Sequence, residues 1–279
     1  MRRLLVITVT LTLASCAHLP RATPVADASL PQPAADHLPV PAPSDWHLDA
    51  PAEGQPLSGN ATAMTLGVSR GGHSVDLQLI LFDDRDCDLR VIDQPEDWSG
   101  GGKITECMRK AGAVAGVNGG FFTPEFKPMG LMIADGEKIG AWQTGPLLTG
   151  AVVVDARPQL LWNAEMRTRE ARHLLQAGPR LVDAARPVTG LERVKHTTRT
   201  FIATDGAHRW LLGLAHGVSL GELGEILATP GLVPGFQVHR ALNLDGGRSS
   251  ALYYRTADGQ EHADPGWSTV RNYLGIVPR

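Results

Sequence analysis

Asn243-Leu244-Asp245-Gly246-Gly247-Arg248-Ser249-Ser250 places a carboxylate, two glycines and two hydroxyls directly behind an apolar run. Leu242 and Leu244 alternate with Asn243 and Asp245, the pattern of a half-buried strand that runs out at Asp245. Gly246 and Gly247 allow a turn with φ > 0 and bring bare backbone N–H groups close to a ligand, an arrangement suited to an anionic oxygen. Ser249 and Ser250 add hydroxyl donors. The plain alternative is a tight Asp-Gly turn joining two paired strands, because Ala251-Leu252-Tyr253-Tyr254 reads as the next strand.

Working outward, Val117-Asn118-Gly119-Gly120-Phe121-Phe122 repeats the arrangement: an apolar run, a polar side chain, two glycines, then two aromatics. Two strand ends built alike predict one shared cleft. Between them, Ser219-Leu220-Gly221-Glu222 is a capping box before an apolar stripe of Leu220, Leu223, Ile226 and Leu227, and Pro230-Gly231 stops that helix. Ile104 to Ala111 carries a second helix. Hairpins are expected around Asp135-Gly136, at Arg157-Pro158 and around Asp205-Gly206. Many strands and two helices predict an α+β fold: a single domain with a mixed, largely antiparallel β-sheet and a few flanking helices.

The ends of the chain carry an address. Met1-Arg2-Arg3, an apolar Leu4 to Leu13 and Leu13-Ala14-Ser15-Cys16 read as a lipoprotein signal peptide over residues 1–15 with its lipobox. Acylation at Cys16, followed by Ala17, predicts a lipid anchor in the bacterial envelope, on the periplasmic side of the outer membrane. Residues 16–58 are rich in Pro, Ala and Asp and are expected to be a disordered tether, with Trp46 able to dock; residues 59–279 form the domain. Cys87 and Cys107 remain as an even pair in an oxidising compartment, so a disulfide closing 20 residues is expected. It would contribute about 3 kcal/mol by loop entropy. A net charge of −3 argues against nucleic acid as partner.

Asn118 to Phe122, Gly178-Pro179-Arg180-Leu181-Val182, Arg199-Thr200 and Asn243 to Gly247, in that order over roughly residues 60 to 279, resemble the phosphodiester glycosidase family. The resemblance implies a hydrolase that cleaves a sugar-1-phosphodiester, a ligand cleft beside Gly178-Pro179-Arg180, and a functional Arg199. At position 248 the family's usual glycine is replaced by Arg248.

Such chemistry needs a phosphate cradle, a carboxylate near C1 and a platform for the sugar. Asp245, Asn118 and Arg199 are the candidate catalytic residues. Arg180, Arg199 and Arg271 suit phosphate oxygens through charge-assisted bonds, and the Gly119, Gly120, Gly246 and Gly247 amides, with Arg248 and Ser249, are expected to complete the cradle. Asp245 is nucleophile, base or stabiliser of an oxocarbenium-like transition state. Phe121, Phe122 and Trp142 are platform candidates, Phe122 more naturally a core residue. Glu125 and Asp135 are spare carboxylates. His196, His216 and His239 show no ligand spacing, so no metal and no cofactor is expected. Two other functions fit the same residues: a non-catalytic envelope lipoprotein that binds phosphorylated glycans, and a phosphodiesterase that breaks P–O instead of C–O.

Overall fold

The computed structural model describes residues 44–95, 103–167 and 170–279. In chain order the strands are β1 (His47–Leu48), β2 (Gly54–Pro56), β3 (Thr62–Arg70), β4 (His73–Asp83) and β5 (Cys87–Asp93). After α1 (Ile104–Ala111) come β6 (Ala115–Asn118), β7 (Met132–Ala134), β8 (Glu137–Ile139), β9 (Gly150–Val154), β10 (Pro158–Trp162) and β11 (His173–Ala177). Then follow β12 (Arg180–Asp183), β13 (Arg186–Pro187), β14 (Thr197–Thr204), β15 (Arg209–Val218), α2 (Leu220–Ala228), β16 (Arg240–Asn243), β17 (Leu252–Arg255), β18 (Glu261–Asp264) and β19 (Asn272–Pro278).

These strands form three sheets instead of the single mixed sheet expected. The largest runs β1-β3-β4-β15-β14-β16-β12-β13, with β2 also on β3; the others run β10-β9-β11-β7-β8 and β18-β17-β6-β19-β5. Every pairing in them is antiparallel. The fold is mainly β, with two α-helices among the described residues, and α+β describes it only loosely.

Period-two alternation explains the layering. On β14, Phe201 and Ala203 face a core shared with Leu223, Ile226 and Leu227 of α2, while Ile202 faces a core shared with Val117, Leu252 and Leu274 of the β6 sheet. The largest sheet is therefore covered by α2 on one face and by the other sheets on the opposite face. α2 starts where expected: the Ser219 side chain accepts from the Glu222 N–H, and the Glu222 carboxylate accepts from the Ser219 N–H at 3.1 Å. Burying each of its three large apolar side chains contributes about 1.5–3 kcal/mol. α1 packs Ile104, Cys107 and Met108 against Tyr253 and Tyr273. In the β7–β8 hairpin Asp135 and Gly136 both have positive φ, 48° and 84°, as a type I′ turn requires.

Three expectations change. The ordered domain starts before residue 59: β1 and β2 pair with β3, Trp46 is 3% exposed, and the Arg70 guanidinium lies 4.6 Å from its ring centroid. Apolar burial and a cation–π contact hold this segment despite its prolines and polar residues. The expected disulfide is absent. Cys87 and Cys107 are buried free thiols in different cores, Cys87 donating to Gly59 O at 3.1 Å from the start of β5, Cys107 lying on the inner face of α1. The third change concerns the motif at 243–250. β16 pairs with β12 and β14, whereas β17 pairs with β6 and β18, so the glycines carry the chain from one sheet into another and the plain hairpin does not form. The signal peptide and Cys16 lie outside the described residues.

Candidate active site at the crossover between two sheets

The two Gly-Gly motifs meet. Asn118 ends β6 with no exposed surface, and its Nδ2 donates to the Asp245 carbonyl at 2.8 Å. Its Oδ1 accepts from Thr200 Oγ1 at 2.7 Å and from the Ala251 N–H at 3.0 Å. The Asp245 N–H returns the connection by donating to Gly119 O at 3.0 Å. Ser250, buried, lies 3.1 Å from Thr200 Oγ1 and donates to Thr198 O at 3.4 Å. Asn118 thus ties β6, β14 and the crossover together through both of its amide atoms. Its place is that of a positioning residue, not of a side chain free to meet a sugar hydroxyl.

Asp245 is the group this scaffold holds out. It stands where β16 has ended, half-buried, and its Oδ1 accepts from the Gly246 N–H at 2.9 Å. Desolvation raises its pKa above the ordinary aspartate value, partly offset by hydrogen bonds from the Ser249 side chain and the Gly246 amide. No cation among the described residues is paired with it. Backbone shape here is set by two glycines. A Cβ on Gly246 would lie 3.0 Å from Thr198 O, and Gly247, at φ 65°, opens the short turn Gly247–Ser249.

The first pair of glycines serves a different end from the one expected. The Gly119 N–H donates to Asn272 O at 2.9 Å and the Gly120 N–H to Asn272 Oδ1 at 2.7 Å, so both amides are occupied within the protein and do not line a phosphate cradle. A Cβ on Gly119 would fall 2.0 Å from Asn272 Oδ1. Close packing, not φ > 0, explains this glycine.

The arginines separate. Arg199 is buried, and alternation places it on the α2 face with Phe201, away from Thr200 and Asn118. Its guanidinium donates to Val218 O at 3.2 Å, Lys195 O at 2.7 Å and Glu192 Oε2 at 3.2 Å. Burial lowers its pKa and Glu192 opposes that shift. Only its stem touches the crossover, with Cδ 3.9 Å from a Gly246 Cβ. Arg271 is buried in an ion pair with Asp93 at the ends of β19 and β5. Arg180 is half exposed, 3.6 Å from Asp183 and over the Trp162 ring at 5.4 Å. Its strand lies next to β16, and Asn243 Nδ2 donates to Gly178 O at 2.9 Å, so the Gly178-Pro179-Arg180 turn does adjoin the crossover. Arg248 is exposed on the crossover itself.

Of the aromatic candidates, Phe121 is partly exposed, Phe122 packs against the α1 core and Phe126, and Trp142 packs under the β9 sheet. The sequence reading passed over Trp267. It is 82% exposed, and its backbone N–H donates to Arg248 O at 2.8 Å, which fixes an open indole beside the crossover. Nothing in its sequence neighbourhood, Pro265-Gly266-Trp267-Ser268, announced that contact; only the return of the chain in space reveals it. Glu125 is exposed with its pKa lowered by a bond from Thr123, and Asp135 sits in the β7–β8 turn beside Arg172, so neither joins Asp245 as a second acid. His216 lies 3.3 Å from Thr198 Oγ1 and 3.3 Å from Gln78 Nε2, on the face towards β17. Gln78 lines a cleft of about 780 Å³ with Thr65, Tyr254, His262 and Asp264. His196 contacts Glu222, and His239 packs near Gly206, away from the crossover.

The sequence matches the phosphodiester glycosidase family over residues 111–277. No curated protein matches it. A hypothetical protein from Synechocystis aligns with a TM-score of 0.56 at 17% identity, covering 85% of this chain and 69% of that one. The zebrafish N-acetylglucosamine-1-phosphodiester alpha-N-acetylglucosaminidase catalytic domain, auto-inhibited by its pro-peptide, aligns with a TM-score of 0.56 at 15% identity, covering 82% of this chain and 89% of that one. At these identities the two structures show a shared fold. The family match takes in both Gly-Gly motifs, Arg180, Arg199 and Arg271 and covers more than half of the sequence: the chain belongs to the phosphodiester glycosidase family.

Proposed function

We propose that this protein hydrolyses a sugar-1-phosphodiester, breaking the C1–O bond, with Asp245 as the carboxylate that faces C1. The observation carrying this reading is the state of Asp245: half-buried where β16 has ended, held by the Gly246 amide and the Ser249 hydroxyl, and paired with no cation among the described residues. An uncompensated carboxylate is poised to stabilise positive charge that develops at C1 only in the transition state. Water oxygen then bonds to C1 and gives up one proton to the surrounding water, the C1–O bond breaks, and the phosphomonoester leaves with that bond's electron pair. A phosphate leaves readily without a proton from the protein, which accords with Asp245 having no second carboxylate beside it. Arg248, exposed on the crossover, and Arg180, whose turn adjoins it, take the phosphate oxygens. Trp267 gives the sugar an apolar face to lie on.

The zebrafish protein's named substrate, an N-acetylglucosamine-1-phosphodiester, is the first compound to try; related sugar-1-phosphodiesters of envelope glycans follow. The sequence around Cys16 supports a lipid anchor on an envelope membrane as part of this reading. Hydrolysis in isotopically labelled water tests the reaction: label in the sugar supports C1–O cleavage, and label in the phosphate assigns P–O cleavage. Binding of these diesters without turnover makes the protein a glycan-binding lipoprotein instead.

A further inference from the structure

We propose that His73, His196 and Glu222 form a binding site for a divalent transition ion of the zinc type, separate from the Asp245 crossover. His73 opens β4, His196 directly precedes β14, and Glu222 lies in the first turn of α2. Their donor atoms all lie within 4.8 Å of one another. His196 Nε2 is 2.8 Å from Glu222 Oε2, and His73 Nε2 is 3.9 Å from Glu222 Oε1. Around a tetrahedral ion with bonds of about 2.0–2.2 Å, neighbouring ligand atoms sit about 3.3–3.6 Å apart, so the 2.8 Å and 3.9 Å contacts fall on either side of the required spacing and small side-chain shifts would bring them to it.

Hydrogen bonding sharpens the assignment. His196 Nδ1 lies 3.1 Å from Val194 O, so this nitrogen is engaged by a backbone acceptor and Nε2 is the one that faces the carboxylate. At 2.8 Å the His196–Glu222 pair shares a proton when no ion is bound, and an ion would replace that proton. His73 Nε2 is buried without a hydrogen-bond partner. Glu222 is oriented by the Ser219 N–H at 3.1 Å and the Ser219 hydroxyl at 2.7 Å, which is how a ligating carboxylate is commonly held. Two arginines face the site: Arg193, which is bonded to Glu225, interacts with Glu222, and Arg70 Nη2 lies 3.9 Å from Glu222 Oε1. Its Nη1 is bonded to Glu225 at 2.7 Å and its plane stacks on Trp46, so its charge is already answered elsewhere.

A second cluster, Asp83, Asp84 and His208, shows what a satisfied group looks like. Arg85 donates to both oxygens of Asp83, and Asp84 receives Trp210 Nε1 at 3.3 Å and His208 Nδ1 at 2.7 Å. That cluster needs no ion. At the first, two imidazoles with one carboxylate select zinc, nickel or copper over calcium or magnesium, and leave a coordination position for water. The ligands stand at positions 73, 196 and 222, which is why no spacing in the sequence betrays them. An ion there would pin the lead-in to β14 against β4 and α2, and β14 carries Thr200 to Asn118.

The test uses full-length protein without a histidine tag, stripped by chelator. Zn²⁺ calorimetry is expected to show one equivalent per chain, Co²⁺ to develop a visible ligand-field spectrum, and Zn²⁺ to raise the melting temperature. His73→Ala and His196→Ala should each weaken Zn²⁺ binding at least tenfold, while His208→Ala binds as the wild type does. Absence of one-equivalent binding in the wild type overturns the site, as does unchanged binding in the His73→Ala/His196→Ala double variant. Should a variant fail to fold, carbethoxylation of the wild type decides: Zn²⁺ must protect His73 and His196, and unaltered labelling refutes the proposal. None of these readings involves hydrolysis, so the outcome is distinct from that of the Asp245 assignment.

Discussion

Asn118-Gly119-Gly120 and Asp245-Gly246-Gly247 look alike in sequence and touch one another in the fold, yet they do opposite work. At the first motif both Asn118 amide atoms and both glycine N–H groups are satisfied inside the protein. At the second the polar side chain is left desolvated and without a counter-charge. One strand end is a hub and the other is held out by it. A polar residue followed by glycines therefore marks a place where backbones approach closely, and only its hydrogen-bond accounting separates architecture from chemistry.

Asp245→Asn presses hardest on that contrast. Turnover of a sugar-1-phosphodiester should fall about a hundredfold to a thousandfold, about 3–4 kcal/mol, with little change in substrate binding, because the stabilised charge exists mainly in the transition state. The same change should raise stability at neutral pH. Burial raises the folded-state pKa of Asp245 above its unfolded value, so the folded form binds more protons, and stability declines as pH rises through the folded pKa. The asparagine variant escapes that cost, and its advantage should shrink as pH falls through that pKa and the wild-type carboxyl becomes protonated. Turnover of the wild type should fail on the acid side at a pH above the ordinary aspartate range. Urea melts and pH–rate profiles of both proteins check this; an Asp245→Asn enzyme that is as fast as wild type breaks the contrast.

Much of this was legible beforehand, for local reasons. The capping box of α2 and the type I′ turn at Asp135-Gly136 follow from short-range chemistry, and the meeting of the two Gly-Gly motifs, which stand far apart in the chain, was signalled by the likeness of the two strand ends. The partners of Asn118 and Gly120 were not legible, because Asn272, Thr200 and Ala251 stand far away in the chain. Arginines misled for a related reason. Sequence gives a guanidinium but not the Val218 and Lys195 carbonyls, or the Asp93 carboxylate, that occupy Arg199 and Arg271. Composition set the boundary at residue 59 too late, because the docking of Trp46 that the sequence allowed, held by Arg70, overrides a composition that favours disorder.

Gly119→Ala probes the hub by geometry alone. Its new Cβ would meet Asn272 Oδ1 at 2.0 Å, so either the β6–β19 connection shifts or the Gly120 N–H loses its acceptor. Overpacking of this kind costs about 1–3 kcal/mol. A lower denaturation midpoint is the expected outcome, with no specific loss in turnover once folding is allowed for; an unchanged midpoint would show that the hub is looser than its hydrogen bonds indicate. Trp267→Ala tests the other side. Loss of an exposed indole should leave stability intact and raise KM about tenfold, about 1.4 kcal/mol, with kcat nearly unchanged, as expected of binding that is equal in ground and transition states. A kcat effect instead would put Trp267 in contact with the reacting centre.

The smallest effect expected is none, and it concerns Cys87 and Cys107. Residue count and compartment argued for a bond between them, one that would have contributed about 3 kcal/mol. The structure instead buries each thiol in a separate core, with burial, the largest cause, pushing both pKa values up to about 11. A thiol that seldom ionises is a poor nucleophile for disulfide exchange and resists oxidation even where the surroundings are oxidising. Adding reductant to protein purified without it should therefore leave the melting temperature where it was, and alkylation should be slow in the native state and rapid after unfolding. A clear drop in melting temperature on reduction would mean that the cores around β5 and α1 come together in the oxidised protein, and would restore the pairing that the count of cysteines suggested.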